Sequence, residues 1–339
     1  MDAHVKTALV AVLTALAAAG SAQAQSQYTR CENAGDATIV EVAAASCDAA
    51  RAVATALATQ PAAASESALR AVGWAPLRAA ATDDGGQYDL VAIRGRAALR
   101  IRRDGAAPDL DGWAAGRELL FSRGQLVGGR RPPRGSAVCT SAFLIRLGGH
   151  PGGLSAAHCG GTRRDGTTHR RNAALRRPPQ PGIVVGRVQR NVARNRPLDA
   201  LVLPVPSGAG RPSAAVVDRG VSRPPWFVAG LGRPTSGRRV CYTGRTSGVD
   251  RCGAIVSASK RRAELLLSAF AGTVVRCTTI TARQGDSGGP VYTAPRGDGT
   301  VYAVGITTLV VGPRARMCFT PLRPVLDALN ARLVTAAAG

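Results

Sequence analysis

Aromatic residues are scarce in this chain of 339 residues, at 4% of positions, so a core must be assembled from Val, Leu, Ile and Ala. Lysine is nearly absent: all of the 44 basic residues are Arg except Lys6 and Lys260, and they are scattered along the chain rather than gathered in a tail. Without a basic tail or rings interleaved with it, the formal charge of +23 does not indicate specific nucleic-acid recognition. A general Arg/Ala bias accounts for it. What survives is a basic surface drawn, in a salt-dependent way, to anionic cell surfaces, membranes or acidic substrates. There is no repeat at a solenoid period and no heptad pattern, and no apolar run is long enough to span a bilayer as a helix.

Residues 1–24 read as a secretory signal. Lys6 and the amino terminus give a thin positive start, residues 8–19 an apolar run, and Ala22-Gln23-Ala24 small residues at cleavage offsets. The protein is therefore expected to be secreted, or periplasmic where the cell envelope retains it. An oxidising compartment makes disulfides the natural state of the eight cysteines. The length accommodates one large or two modest domains, each with its own core.

The chain divides by composition. Residues 25–125 are Ala-rich and helix-permissive over 47–58 and 65–72, then alternate apolar and polar over 88–101, as a small α+β unit would. Cys31 and Cys47 are its two cysteines; they pair with each other if the unit is self-contained, and otherwise are free or pair elsewhere. A Gly/Pro/Arg-rich stretch over 123–133 reads as an exposed linker and processing site, which predicts a pro-region over 25–125 and a main domain over 126–339. From 137 onward short apolar or alternating runs, at 142–147, 183–188, 200–205, 226–229, 254–257, 274–281, 291–293 and 301–311, are separated by turn residues. That pattern predicts an all-β sandwich or barrel. Only 322–334 has helical spacing, with Leu322, Val325, Leu326, Leu329 and Leu333 on one face.

The stretch with chemical promise is Gln284-Gly285-Asp286-Ser287-Gly288-Gly289-Pro290. Glycines let the backbone take constrained conformations, so the N–H groups of Gly285 and Ser287 could converge on a developing oxyanion. Read without partners, it is equally a glycine-rich turn. A serine hydroxyl needs a base, and four histidines are available. His4 lies in the signal segment, and His150 and His169 sit among Gly, Arg and Pro. His158 lies in Gly153-Leu154-Ser155-Ala156-Ala157-His158-Cys159, where small residues precede the ring. A histidine beside cysteine can also be structural or a metal ligand, but no second ligand stands at zinc-like spacing and export disfavours thiolate ligation. No metal and no cofactor are expected. The imidazole needs an acid to orient it. Asp199 enters the apolar run Ala200-Leu201-Val202-Leu203-Pro204-Val205, a place where an acid is usually paired, whereas Asp165 sits in a polar Arg-Arg-Asp-Gly turn.

These segments, in the order His158, Asp199, Ser287, resemble the chymotrypsin/trypsin-like serine proteases, most nearly the bacterial branch typified by alpha-lytic protease and the streptogrisins. The resemblance covers roughly 126–334. It implies two packed six-stranded antiparallel β-barrels with a C-terminal helix, preceded by the α+β pro-region, and a precursor that matures into a monomeric endopeptidase acting on protein or peptide substrates. Ser287 would be the nucleophile, His158 the base, Asp199 its orienting acid, and Gly285 with Ser287 the oxyanion donors. The same resemblance implies disulfides Cys139–Cys159, Cys241–Cys252 and Cys277–Cys318. It also places Thr281 at the floor of the substrate pocket, with Gln284, Thr308, Leu309 and Val310 around it. No acid stands at 281 and Leu309 or Val310 narrows the wall, so small or aliphatic side chains are expected at the cleaved position, while Arg283 and Gln284 leave an acidic preference open.

Departures accompany the resemblance. Ser155 replaces the more usual threonine, Leu201 stands where a small residue is usual, and Cys277 lies farther before Ser287 than usual. Tyr242 occupies the position where the bacterial branch commonly holds Asp286 with an arginine. Asp286 is therefore expected to need another cation, either Arg245 or a new amino terminus at Leu126. The rival reading from another class is an exported, non-catalytic protein that keeps the protease fold and binds anionic surfaces.

Overall fold

The computed structural model describes residues 27–31, 39–58, 65–81, 87–104, 113–122, 135–161, 172–177, 180–192, 198–205, 215–256, 274–311 and 315–336. The signal segment, the stretch 123–133 with Leu126, and His4, His169 and Asp165 lie outside the described residues.

The first unit is a five-stranded antiparallel sheet with two helices. Its strands are β1 (Thr29–Arg30), β2 (Ile39–Ala43), β3 (Ala75–Ala81), β4 (Gln87–Arg94) and β5 (Ala97–Asp104), in the order β1-β2-β5-β4-β3. Helix α1 (Cys47–Ala58) buries Ala50, Val53, Ala54 and Leu57, which recur at helical spacing on one face. Ser46 caps it by accepting from the Ala49 N–H, and the Cys31–Cys47 disulfide ties its start to the end of β1. Helix α2 (Ser65–Ala71) follows. Both faces of the sheet are covered, and the period-2 alternation divides its side chains between two cores. Tyr88, Leu90, Ala92, Leu99 and Ile101 face α1, while Leu77, Val91 and Ala98 pack with Ala114, Val216 and Phe227 of the remaining chain.

That remaining chain is the expected all-β region, in two lobes. In the first, β6 (Glu118–Ser122), β7 (Ala137–Thr140), β10 (Asn172–Arg177) and β11 (Gln180–Arg187) form a sheet in the order β11-β10-β6-β7. A second sheet has the order β12-β13-β9-β8-β22, from β8 (Leu144–Leu147), β9 (His150–Ser155), β12 (Arg190–Asn191), β13 (Leu201–Pro204) and the late strand β22 (Ala331–Leu333). The second lobe is built on β14 (Val216–Val217), β15 (Trp226–Leu231), β16 (Arg239–Gly244), β17 (Gly248–Ala254), β19 (Pro290–Thr293) and β20 (Thr300–Val311), in the order β14-β15-β20-β19-β16-β17. β21 (Arg316–Pro321) pairs with β20, and β18 (Arg276–Thr281) pairs with β21. Helix α3 (Leu322–Leu329) buries Leu322, Val325, Leu326 and Leu329, the face expected from spacing. It stops at Leu329 because Asn330 adopts the left-handed conformation and returns its N–H to Leu326 and Asp327 carbonyls. The helical spacing expected to reach residue 334 therefore ends early, and Leu333 lies in β22, which crosses back to pair with β8.

Residues 113–122, at the end of the expected pro-region, pack with the main domain. Trp113, Ala115, Leu119 and Phe121 are buried in one core with Phe143, Leu154, Trp226 and Ile306. β6 pairs with β7 from Glu118↔Thr140 to Phe121↔Ala137. Trp113 lies over Gly153, where a Cβ would run into the indole, and its Nε1 donates to the Ala142 carbonyl at 3.1 Å. The Gly/Pro/Arg stretch thus joins two strands of one sheet, and composition alone does not distinguish such a connection from a linker between units.

Candidate active site

The first lobe delivers an acid and a base side by side. β13 and β9 are antiparallel, with Leu201 opposite Ser155, so the residues just before one strand and just after the other are neighbours. Asp199 lies two residues before β13, and His158 lies in the 3-10 turn Ala157–Gly160 that follows β9. Asp199 Oδ2 is 2.7 Å from His158 Nδ1, and Asp199 Oδ1 accepts the backbone N–H of His158 at 2.9 Å. The acid is buried and the imidazole is 46% exposed. With a carboxylate oxygen against Nδ1, that nitrogen carries the proton, and in the neutral ring Nε2 is then the acceptor. The turn is closed by Gly161 in the left-handed conformation, its N–H on the His158 carbonyl, and is stapled to β7 by Cys139–Cys159.

The second lobe supplies the serine loop, which lies against this turn. The Ser287 carbonyl accepts the Thr140 N–H at 2.7 Å, and the Gly285 carbonyl accepts the Thr140 hydroxyl at 2.8 Å. Gly285 has φ of +100° and Gly288 of +87°, conformations that side-chain-bearing residues rarely adopt. At Gly288 a Cβ would also collide with Ser155 Oγ and the Thr140 carbonyl, so glycine here is what allows the two lobes to close together. Ser155 is itself buried and donates to the Thr140 carbonyl at 3.0 Å. Cys159 Sγ lies 3.8 Å from the Ser287 carbonyl and 4.0 Å from His158 Nε2, so serine backbone and ring edge meet at one sulfur. The Cys139 and Cys159 sulfurs and His158 fall within 4.8 Å of one another, but sulfurs joined in a disulfide cannot serve as thiolate ligands.

The Asp286 side chain is fully buried, and the donors it meets among the described residues are neutral. Oδ1 accepts the Thr246 and Ser247 N–H groups, each at 2.9 Å. Oδ2 accepts the Arg283 N–H at 2.7 Å, the Tyr242 hydroxyl at 3.1 Å and the Ser247 hydroxyl at 2.5 Å. Burial raises the Tyr242 phenol above its ordinary range, a shift reinforced by the Asp286 charge and opposed by the Ser247 hydrogen bond. Arg245, one expected cation, instead directs Nε to Glu118 of β6, while its backbone N–H reaches the Thr140 hydroxyl at 3.1 Å. A Cβ at Gly244 would overlap the Asp286 carboxyl, so the turn between β16 and β17 closes on the acid because residue 244 is glycine.

The Cys241–Cys252 disulfide joins the two strands that deliver these donors, and Cys277–Cys318 joins β18 to β21. Around the expected pocket, Thr281 and Gln284 are exposed and Val310 is 39% exposed. Thr308 is buried, its hydroxyl bonded to the Ile306 carbonyl and to Thr320 Oγ1. The Leu309 side chain lies outside the described residues. Sequence reasoning did not single out Thr140, Ser247 or Glu118. Each acts on a partner at least 39 positions away, and none carries a local signal.

No protein-family model matches the chain, and no curated protein matches it. Solved structures similar to it include Thermobifida fusca Protease A, at 25% identity over 65% of this chain and 97% of that one, with a TM-score of 0.42. Cellulomonas bogoriensis chymotrypsin is 24% identical over 65% of this chain and 97% of that one, with a TM-score of 0.41. An alpha-lytic protease homolog, N4, is 21% identical over 64% of this chain and 97% of that one, with a TM-score of 0.45.

Proposed function

We propose that this chain is an exported serine endopeptidase. The observation that carries the reading is the double clasp of Asp199 on His158, to Nδ1 at 2.7 Å and to the backbone N–H at 2.9 Å, on the turn against which the Ser287 loop is tied. The clasp supports a base in the correct tautomer, the one whose Nε2 can take the proton of a serine hydroxyl.

In this reading Ser287 Oγ adds to the peptide carbonyl and its proton passes to His158 Nε2. The carbonyl oxygen becomes an oxyanion received by the N–H groups of Gly285 and Ser287. The tetrahedral adduct then collapses: the C–N bond breaks, the leaving amine takes the proton from His158, and an acyl-enzyme remains. Water, deprotonated by the same nitrogen, releases the acid and restores Ser287. Asp199 stabilises the imidazolium at both stages. The chemistry requires no metal or cofactor. Thr281, rather than an acid, at the pocket floor and the apolar Val310 support small or aliphatic side chains at the cleaved position. Protein or peptide chains are the substrates, the catalytic unit acts as a monomer, and the basic surface adds salt-sensitive attraction to anionic cell surfaces.

The test is covalent labelling of the purified protein by a serine-directed fluorophosphonate. The parent should label and Ser287→Ala should not. Equal labelling of both, or none of either, rejects the mechanism. A peptide-library digest dominated by cleavage after Arg, Lys or large aromatics would reject the pocket reading alone.

A further inference from the structure

Asp286 adjoins the nucleophile, so whatever fixes its carboxyl fixes the path of the loop from Arg283 to Gly289. Its backbone belongs to the same turn: the Asp286 N–H donates to the Arg283 carbonyl at 3.1 Å and its carbonyl accepts from Gly289 at 3.0 Å. The five donors to its side chain are neutral, and four of them, the Tyr242 and Ser247 hydroxyls and the Thr246 and Ser247 N–H groups, come from the disulfide-closed β16–β17 hairpin. All five belong to the uncleaved chain, in which the first unit is still attached. That unit packs Leu77, Val91 and Ala98 against Ala114, Val216 and Phe227, and the His158 ring remains 46% exposed.

We propose that Tyr242 and Ser247 are positioning residues that set the serine loop through Asp286, so that Ser287 is reactive in the intact chain and requires no newly created amino terminus. This rests on the serine-peptidase reading above. In chemical terms, a buried carboxylate can be stabilised either by one cation or by several hydrogen-bond donors aimed at both oxygens, and here the second arrangement is complete before any cleavage. An amino group arriving later would have to displace existing donors. Arg245 instead joins Glu118 to the Thr140 region. The loop is thus held from two sides: hairpin hydroxyls on the Asp286 side chain, and Thr140 on the Gly285 and Ser287 carbonyls.

The experiment is a brief fluorophosphonate pulse on freshly purified full-length protein, followed by intact-mass spectrometry of the adduct. The expected result is an adduct mass equal to the chain with residues 27–122 still attached, formed at a rate within about threefold of cleaved protein that retains residues 113–122. Adduct found only on shortened chains overturns the proposal while leaving the peptidase reading intact; absence of adduct on every species removes the peptidase reading and this proposal with it. A second arm uses Ser247→Ala, Ser247→Thr and Tyr242→Phe, each with its urea midpoint measured. Ser247→Ala and Tyr242→Phe should each slow labelling at least tenfold while the protein stays folded, and Ser247→Thr, which restores a hydroxyl, should recover most of the rate. Parental labelling rates in folded Ser247→Ala and Tyr242→Phe would overturn the positioning role.

Discussion

Asp199→Asn alters one polar group beside His158 and preserves the shape of the site. In the parent, Oδ1 accepts the His158 backbone N–H at 2.9 Å and Oδ2 faces Nδ1 at 2.7 Å. The amide oxygen can keep the first contact, which leaves the NH2 group against Nδ1. Because that group only donates, the ring is driven to the tautomer with a bare Nδ1 and its proton on Nε2. Nε2 then presents a donor to the serine and cannot take its proton. Loss of the correct tautomer in such a site lowers the rate about ten-thousand-fold, which corresponds to about 5 kcal/mol of barrier. Folding should change far less, by no more than about 1.5 kcal/mol, since one hydrogen bond is replaced by another. The assay pairs the second-order rate constant for fluorophosphonate labelling with the urea midpoint of the same sample. A folded Asp199→Asn protein labelling within about tenfold of the parent would refute the tautomer argument, which requires a loss of several decades.

Other outcomes follow from the packing. Trp113→Ala removes a fully buried ring and should cost about 3–5 kcal/mol, read as a fall in the urea midpoint at unchanged slope; a shift below about 1 kcal/mol would mean that 113–122 is not integral to the main core. A chain beginning at Leu126 lacks β6 and should label only when a fragment carrying residues 113–122 is supplied in trans, whereas a fragment ending at residue 112 should not restore it. Burial holds the phenols of Tyr28, Tyr242 and Tyr292 above their ordinary value of 10.0. These groups ionise more readily once unfolded, so their contribution to stability is complete below about pH 10 and is lost as pH rises beyond it. Spectrophotometric titration should therefore show their ionisation coinciding with loss of near-ultraviolet circular dichroism, and ionisation within the folded state near pH 10 would contradict their burial.

Legibility from sequence followed the range of the physics involved. The helix at 47–58 and the buried face of α3 repeat within a few residues and could be read directly, because a helix brings i, i+3 and i+4 together by itself. The glycines at 285 and 288 announced a constrained turn for the same local reason. The stretch 123–133 could not say where the cores divide, because Gly, Pro and Arg favour exposed chain whether it links two units or two strands of one sheet. Thr140 was invisible, since nothing about an isolated threonine signals that its N–H and hydroxyl will hold two carbonyls of a loop 145 positions away.

The amino-acid sequence by itself determined the strand-rich character of the chain beyond residue 137, the terminal helix, and the three short segments that carry histidine, aspartate and serine. Those properties arise from residue type and near-neighbour spacing. Tertiary structure alone decided that β6 belongs with the main core, that Arg245 is directed to Glu118, and that Asp286 is satisfied by neutral donors from Tyr242, Thr246, Ser247 and Arg283. The reason is that a buried charge requires donors in space, and which donors reach it depends on how two lobes and a hairpin close together, a relation that no local stretch of sequence contains.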